Sequence, residues 1–353
     1  MRTLAVAGGA SPSLGRAIAS AVFARHPPDR WRLLLLSRSP RSPAWLRALD
    51  PHAHRHALRA VDYTSIPSLT SALRGVHTLV SVTGAVDGTQ AQTQINLLHA
   101  AVNAACKRYA PSQFGLGHKA WTEIRSLRWL NQDLFGQCAK HSSNIDIAYF
   151  NHGCFMNYLG HGVFPASKPA SEEEDALRTM QQVQVYKASE DSVCEGLQRC
   201  GPLSDGSGGY LIGLKSGIAE LPVRPDGQWP RITLTTVGDV GRFVAASLDL
   251  PAWRGRMDMV GETVTMGQLL RHAEQVTGKT FRVTALQADA IRRKMATFSQ
   301  DDFSGLLWSE IDLAYTRDKD DEAVLQPVLN NHFPDIRPVT VHKYLEKAWK
   351  QAM

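Results

Sequence analysis

The chain opens with Thr3-Leu4-Ala5-Val6-Ala7 and runs directly into Gly8-Gly9-Ala10-Ser11-Pro12-Ser13-Leu14-Gly15. The first five residues read as a strand, and the apolar periodicity from Leu14 to Ala24 reads as a helix. Between them lies a glycine-bearing turn. A strand, a tight turn and a helix amino terminus in that order bring unpaired backbone N–H groups and the positive end of a helix dipole to one point, which attracts a pyrophosphate. Gly9 and Gly15 keep the outer spacing of G-x-x-G-x-x-G, whereas the middle position is Pro12. Proline removes one N–H and adds bulk. Phosphate is therefore expected on the N–H groups around Ser13, Leu14 and Gly15, with help from the hydroxyls of Ser11 or Ser13.

The next strand narrows the choice of dinucleotide. Trp31 to Leu36 is a nearly continuous apolar run, as suits a central parallel strand buried on both faces. It ends Leu36-Ser37-Arg38-Ser39-Pro40-Arg41. NAD sites place an acid there for the ribose 2′-hydroxyl, whereas NADP sites substitute hydroxyl and cationic groups for the 2′-phosphate. Here the acid is missing and two arginines are present, so NADP(H) is expected, with Arg38 as the leading phosphate ligand, Arg41 as a second and the Ser37 hydroxyl beside them.

Outward from these two strands the alternation repeats. His56 to Val61, His77 to Val82, Arg108 to Pro111 and Ile145 to Phe150 read as strands. Ile66 to Leu73, Gln90 to Ala105 and a stretch near Trp129 to Lys140 read as helices between them. Such a βαβ series predicts a Rossmann-type α/β fold, a doubly wound parallel sheet covered by helices on both faces. Residues 1–155 form the expected dinucleotide-binding domain, with 231–250 returning to it, and residues 156–353 mainly a smaller, irregular α+β substrate or partner subdomain. In that second part Gly201 to Gly217 reads as loop or hairpin, Arg231 to Thr236 as a strand, Asp239 to Leu248 as a helix, and Thr265 to Thr277 as a helix stopped by Gly278. Ser171-Glu172-Glu173-Glu174 carries a capping-box signature that predicts a helix running toward Arg199.

Composition excludes several classes. With 43% hydrophobic and 20% charged residues the chain is neither disordered nor fibrous. Its net charge of +6 is spread out: the basic stretches Arg30 to Arg47 and Arg282 to Lys294 are interrupted by apolar residues or prolines, so no nucleic-acid partner is expected. Five cysteines without a C-x-x-C pair or metal-type His spacing predict reduced thiols and no metal. No run reaches the roughly 18 apolar residues that span a bilayer, and the amino terminus lacks signal-peptide architecture, so no membrane partner and a cytoplasmic location are expected.

Several segments together resemble the atypical short-chain dehydrogenases, specifically the isoflavone-reductase-like and fungal NmrA-like families. They are Val61-Asp62-Tyr63, Ala72-Leu73-Arg74-Gly75-Val76, Phe155-Met156-Asn157-Tyr158, Asp239-Val240-Gly241-Arg242-Phe243 and Phe333-Pro334. The most specific is the block from Gln94 to Lys107-Arg108-Tyr109-Ala110-Pro111-Ser112-Gln113-Phe114-Gly115, which is similar to the family's K-R-F-x-P-S-E-F-G. The resemblance implies an NADP(H) site to which Asp62, Tyr63, Gln94 and Phe155 contribute. Thr83, Gly84, Ser112 and Phe114 follow strand ends, where such folds bind ligands.

The same resemblance implies a lysine on the helix after the P-S-E-F-G block that orients the nicotinamide ribose and assists proton transfer. At the matching places this chain has Asn131 or Gln132, and neither can act as a cationic acid. Lys119 and Lys140 lie at unsupportive spacings. His152, in the turn Asn151-His152-Gly153-Cys154, is the remaining proton donor or acceptor near neutral pH, with His118 a loop residue and Cys154 by default a buried thiol. Two functions follow. One is an NADP(H)-dependent oxidoreductase acting on an apolar, aromatic or polycyclic small molecule of the specialised-metabolite kind, by hydride transfer or redox-triggered rearrangement. Its pocket would draw on a few of the large side chains Trp121, Trp129, Tyr158, Phe164, Trp229, Phe298, Phe303 and Trp308, most of which are expected in the core. The other is a non-catalytic NADP-binding redox sensor that docks to a protein partner, with Lys168 to Arg199 as a docking surface.

Overall fold

In the computed structural model, which describes residues 1–163, 197–299 and 301–350, the opening run is strand β1 (Arg2–Ala7) inside a seven-stranded sheet. The chain continues through α1 (Leu14–Arg25), β2 (Trp31–Ser37), α2 (Ala44–Leu49), β3 (His56–Ala60) and α3 (Ile66–Leu73). It then crosses back over β1 to β4 (Thr78–Ser81), α4 (Gln90–Asn103) and β5 (Arg108–Ala110). Three short helices follow, α5 (His118–Glu123), α6 (Arg125–Leu130) and α7 (Leu134–His141), before β6 (Asp146–Tyr149). The sheet order is β3-β2-β1-β4-β5-β6 with β11 (Gly255–Arg256) beyond β6, and every neighbouring pair is parallel. The order reverses between β1 and β4, so their carboxyl ends open a crevice.

The unbroken apolar run of β2 is explained by two cores. Leu33 and Leu35 point to one face and pack with Ile18 and Val22 of α1, while Leu34 and Leu36 point to the other and pack with Leu73, Leu97 and Leu98 of α3 and α4. Alternation along a strand thus feeds both faces, each covered by helices. The helix α8 (Val237–Ser247) lies in the α1 layer: Val240, Phe243 and Val244 share the α1 core, and His26 bonds the Ala245 carbonyl at 2.9 Å.

Smaller sheets complete the fold. One orders β12 (Glu262–Thr265), β10 (Arg231–Thr235) and β7 (Cys154–Phe155), the other β13 (Arg282–Leu286), β9 (Ile218–Pro222) and β8 (Ile212–Gly213). Of the segment 231–250, the helix therefore covers the large sheet, while the strand belongs to a small one. The loop-or-hairpin stretch ends in the antiparallel β8–β9 pair. Thr265 and Gln268 close a full capping box ahead of α9 (Met266–Thr277), and Gly278 ends it in the left-handed conformation. α10 (Ala288–Met295), α11 (Phe303–Arg317), α12 (Val328–His332) and α13 (Val341–Lys350) follow.

One helix needs correction. The stretch from Trp129 to Lys140 is not continuous: α6 ends at Leu130, α7 begins at Leu134, and Asp133 between them takes φ +62°. The expected helix from Ser171, and with it the Lys168–Arg199 docking surface, lies outside the described residues up to 196.

Candidate functional site

The glycine turn is held by close approach. A Cβ at Gly15 would stand 2.5 Å from the Gly9 carbonyl oxygen, and one at Gly9 would stand 2.7 Å from the Val6 carbonyl oxygen. Only glycine lets α1 start this near to β1. The turn leaves the amides of Leu14 and Gly15 without an acceptor among the described residues, at the positive end of a twelve-residue helix. Ser11 and Ser13 face each other, Oγ to Oγ at 3.2 Å, and the Ser13 amide donates to Ser11 Oγ at 3.3 Å. Pro12 is exposed and projects outward. The turn therefore presents two free amides and two hydroxyls, a donor set that fits a pyrophosphate.

At the end of β2, Ser37 Oγ accepts from the Ser39 amide at 3.2 Å, and Ser39 Oγ from the Arg41 amide at 3.2 Å. These serines shape the loop. Arg38 and Arg41 are exposed and make no ion pair among the described residues, so both guanidiniums are available to a phosphate. Tyr63 acts differently from the expected ligand. Its hydroxyl accepts from the Gly8 amide at 2.8 Å and donates to the Leu36 carbonyl at 2.9 Å, tying the turn to the end of β2, and burial pushes the phenol up to about 12. Asp62 is exposed, and its carboxylate takes the Thr64 hydroxyl and amide, which hold it below the usual range.

Gln94 is buried completely and joins two strand ends. Its Nε2 donates to Thr83 Oγ1 at 2.7 Å, and its Oε1 accepts from the Ser112 amide at 3.0 Å. It positions the loops after β4 and β5. Gly84 opens onto free space, with nothing within 4 Å of a Cβ placed there. Phe114 stacks on Phe150 at 5.9 Å, and Phe155 is half-buried beside His152.

Beyond the loop after β4 lies a cavity of about 1080 Å³. Its walls come from Val86 and Asp87, from α5 through the start of α7, and from residues 295–310. Trp121, Trp129, Phe135, Phe298 and Phe303 supply aromatic surface, with Trp129 and Phe303 in ring contact at 5.1 Å. The structure brings both candidates from the helix break here. Gln132 is exposed on the wall, while Asn131, 4% exposed, is turned inward: its Oδ1 accepts from Gln113 Nε2 at 3.0 Å, and its Nδ2 donates to the Leu127 carbonyl at 2.9 Å. Gln113 stands where the similar block has glutamate, so the Gln113–Asn131 pair is neutral at both ends.

The other candidates lie off the cavity. Lys119 and Lys140 are exposed and line no part of it. His118 is half-buried against Phe135 and Tyr149, and burial, then Arg256, lower its pKa. Burial pushes the Cys154 thiol up to about 12, so it stays protonated. His152 is 0% exposed, and burial, only partly offset by the backbone carbonyls of His152 itself and Phe114, lowers it to about 3. It is therefore neutral in the fold near neutral pH. Between about pH 6.5 and 3 unfolding takes up a proton at His152, so stability falls as pH drops through that window, by about 1.4 kcal/mol per pH unit for one proton. Denaturant melts at neutral and mildly acidic pH are expected to show a shallower loss for His152→Leu than for the native chain.

No protein-family model matches the chain. In sequence it is 25% identical over 284 residues to the oxidoreductase BOA1 of Botryotinia fuckeliana, spanning 79% of this chain and 77% of that protein. In structure it superposes on AtPrR2 solved with NADP+ and (+)-pinoresinol, with a TM-score of 0.67 at 18% identity and 98% of each chain covered. An isoflavone reductase gives 0.67 at 15% identity, covering 98% of this chain and 99% of that one. The NADPH-dependent quinone oxidoreductase QOR2 of Escherichia coli, solved with NADPH, gives 0.65 at 17% identity over 98% and 99% of the two chains. The chain shares the fold of these three solved proteins. The loop that leaves the end of β4, where the strand order reverses, reaches the cavity wall at Val86 and Asp87. No helix among the described residues is long and apolar enough to cross a membrane.

Proposed function

We propose that the protein is an NADP(H)-dependent oxidoreductase acting on an apolar, aromatic or polycyclic small molecule in the cavity beside α6 and α7. One observation carries the proposal: the loop after β4 has Thr83 and Gly84 in the dinucleotide crevice and, two residues on, Val86 and Asp87 in the cavity wall. Charge supports the same continuity, since Arg38 is close enough to lower the pKa of Asp87, after the bonds from Thr89. Ser11, Ser13, Leu14 and Gly15 would hold the pyrophosphate and Arg38, with Arg41, the 2′-phosphate. When bound, the nicotinamide supplies or accepts a hydride. The protein's own contribution is placement. Aromatic walls would orient a flat substrate, while Gln94 and the Gln113–Asn131 pair keep the two loops in register. Residues 1–155 would serve the cofactor and 156–353 mainly the substrate, with α5 to α7 shared between the two tasks. The free thiols Cys106, Cys138 and Cys154 support a reducing, cytoplasmic setting.

Because no cationic acid stands at Asn131 or Gln132, Ala at either position is expected to lower kcat/KM by less than the roughly 100-fold that removal of a general acid brings. Steady-state kinetics on the substrate found below check this. The function itself is tested with NADPH deuterated on each face of C4, mixed with conjugated aromatic compounds and followed by mass spectrometry. Label transfer from one face is the expected result. No transfer to any compound, together with a protein partner captured in only one cofactor state, would overturn it in favour of a redox sensor.

A further inference from the structure

The cavity carries a second message in its charges. Four carboxylates line it, on Asp87, Asp133, Asp301 and Glu310, against two guanidiniums on Arg125 and Arg128, a net of −2. Position matters more than the count. Both arginines and the three aspartates are exposed, so solvent screens them. Glu310 is the half-buried one. Its Oε2 accepts from the Ser126 amide at 2.8 Å, and it forms no ion pair among the described residues. The least exposed charge of an aromatic-walled cavity is thus a carboxylate that no ion pair among the described residues neutralises, and the ring faces in the same wall attract cations as well.

The proton chemistry points the same way. The lining includes no lysine, histidine, tyrosine or cysteine, and an arginine does not release a proton at neutral pH. The Asn131 corner, where the resemblance places a lysine, is occupied by an amide already bonded to Gln113 and Leu127. A carbonyl reduced in such a place would find hydrogen-bond donors but, among the described residues, no lysine, histidine, tyrosine or cysteine to give its oxygen a proton.

We infer that the cavity takes a flat, conjugated organic cation, such as an iminium or N-alkylated heteroaromatic, with its positive charge set against Glu310; this rests on the oxidoreductase reading for its chemistry but not for its binding. A cation of this kind needs a hydride alone. A C–H bond forms at the electrophilic carbon, the C=N π pair withdraws onto nitrogen, the reduced nicotinamide dinucleotide is oxidised, and no proton is required. With an N-alkylated heteroaromatic the product is a neutral dihydro compound, so it loses its attraction to Glu310 and leaves; with an iminium it is an amine, neutral as the hydride arrives and protonated afterwards from water.

The test is binding to the full chain without cofactor, read by calorimetry and tryptophan fluorescence. Three two-ring probes of similar size are compared: N-methylquinolinium, neutral quinoline and naphthalene-2-carboxylate. The cation is expected to bind about tenfold or more tightly than quinoline, to weaken with added salt while quinoline does not, and to fall to quinoline's level in Glu310→Gln. Glutamine keeps an acceptor for the Ser126 amide, and an unchanged thermal melt and quinoline affinity show that the variant folds. Equal or tighter binding of quinoline or the carboxylate by the native chain would overturn the inference, as would unchanged cation affinity in Glu310→Gln. Those results leave the oxidoreductase reading standing, because deuteride transfer to neutral compounds is measured separately. Conversely, cation binding that follows Glu310 supports the cavity assignment even where no deuteride transfer is seen.

Discussion

Replacing Arg38 with Glu is expected to lower NADPH affinity roughly tenfold to a hundredfold, the worth of one charge-assisted contact of about 1.5–3 kcal/mol, while NADH affinity is spared. The guanidinium is exposed at the end of β2 and makes no ion pair among the described residues, which leaves it available to a 2′-phosphate. Glutamate at the same place repels that phosphate and restores an acceptor for a ribose hydroxyl, as NAD sites have. Calorimetric titration of both cofactors against native and variant chains checks the prediction. Equal affinity of the native protein for NADPH and NADH would sink it, because the selectivity argument rests on Arg38 and the absence of an acid beside Ser37.

The half of the molecule that carries this site was legible because its signals are local. β1, its turn and α1 are contiguous in the chain, and α3 runs from Ile66 to Leu73 as its periodicity predicts. β2 read as doubly buried because both its faces are filled by leucines. What sequence could not show are contacts between distant segments. The break between α6 and α7 follows from Asn131 turning to Gln113, eighteen residues back, and from Asp133 tolerating a left-handed backbone, whereas the residues on either side are ordinary helix formers. His152 reads in the sequence as a proton donor or acceptor in a turn, and in the fold that turn is pinned inward: its amide donates to the Gly115 carbonyl, and its carbonyl accepts from Thr235 Oγ1 at 2.7 Å. Gln94 carried the family pattern without showing that its amide would be consumed between Thr83 and Ser112. The cavity draws on three stretches, 86–87, 121–136 and 295–310, and no window of sequence contains more than one of them. A signal for Glu310 was present all the same: it lies on the inner side of an aromatic-rich helix, three residues after Leu307 and seven after Phe303.

Valine at Gly15 is expected to weaken NADPH binding by roughly tenfold to a hundredfold or more, through geometry rather than charge. A β-carbon there would stand 2.5 Å from the Gly9 oxygen, 2.8 Å from its carbonyl carbon and 3.0 Å from its Cα. All three are backbone atoms of the opposing turn, which has no flexible side chain to swing aside, so the turn and the start of α1 must separate. The free amides of Leu14 and Gly15 would then no longer converge on one phosphate, and the loss of a shared focus costs more than either hydrogen bond alone. Gly84 supplies the contrast. It belongs to the same crevice, has an unstrained backbone and finds nothing within 4 Å of an added β-carbon, so Gly84→Ala is expected to bind NADPH within about twofold of the native chain. Comparing the two variants by calorimetry, with thermal melts as a check that α1 still packs on α8, separates a damaged phosphate turn from a generally loosened fold. Full NADPH affinity in a folded Gly15→Val chain would show that the pyrophosphate is held elsewhere than at this helix terminus, and the assignment of Ser11, Ser13, Leu14 and Gly15 would fall with it.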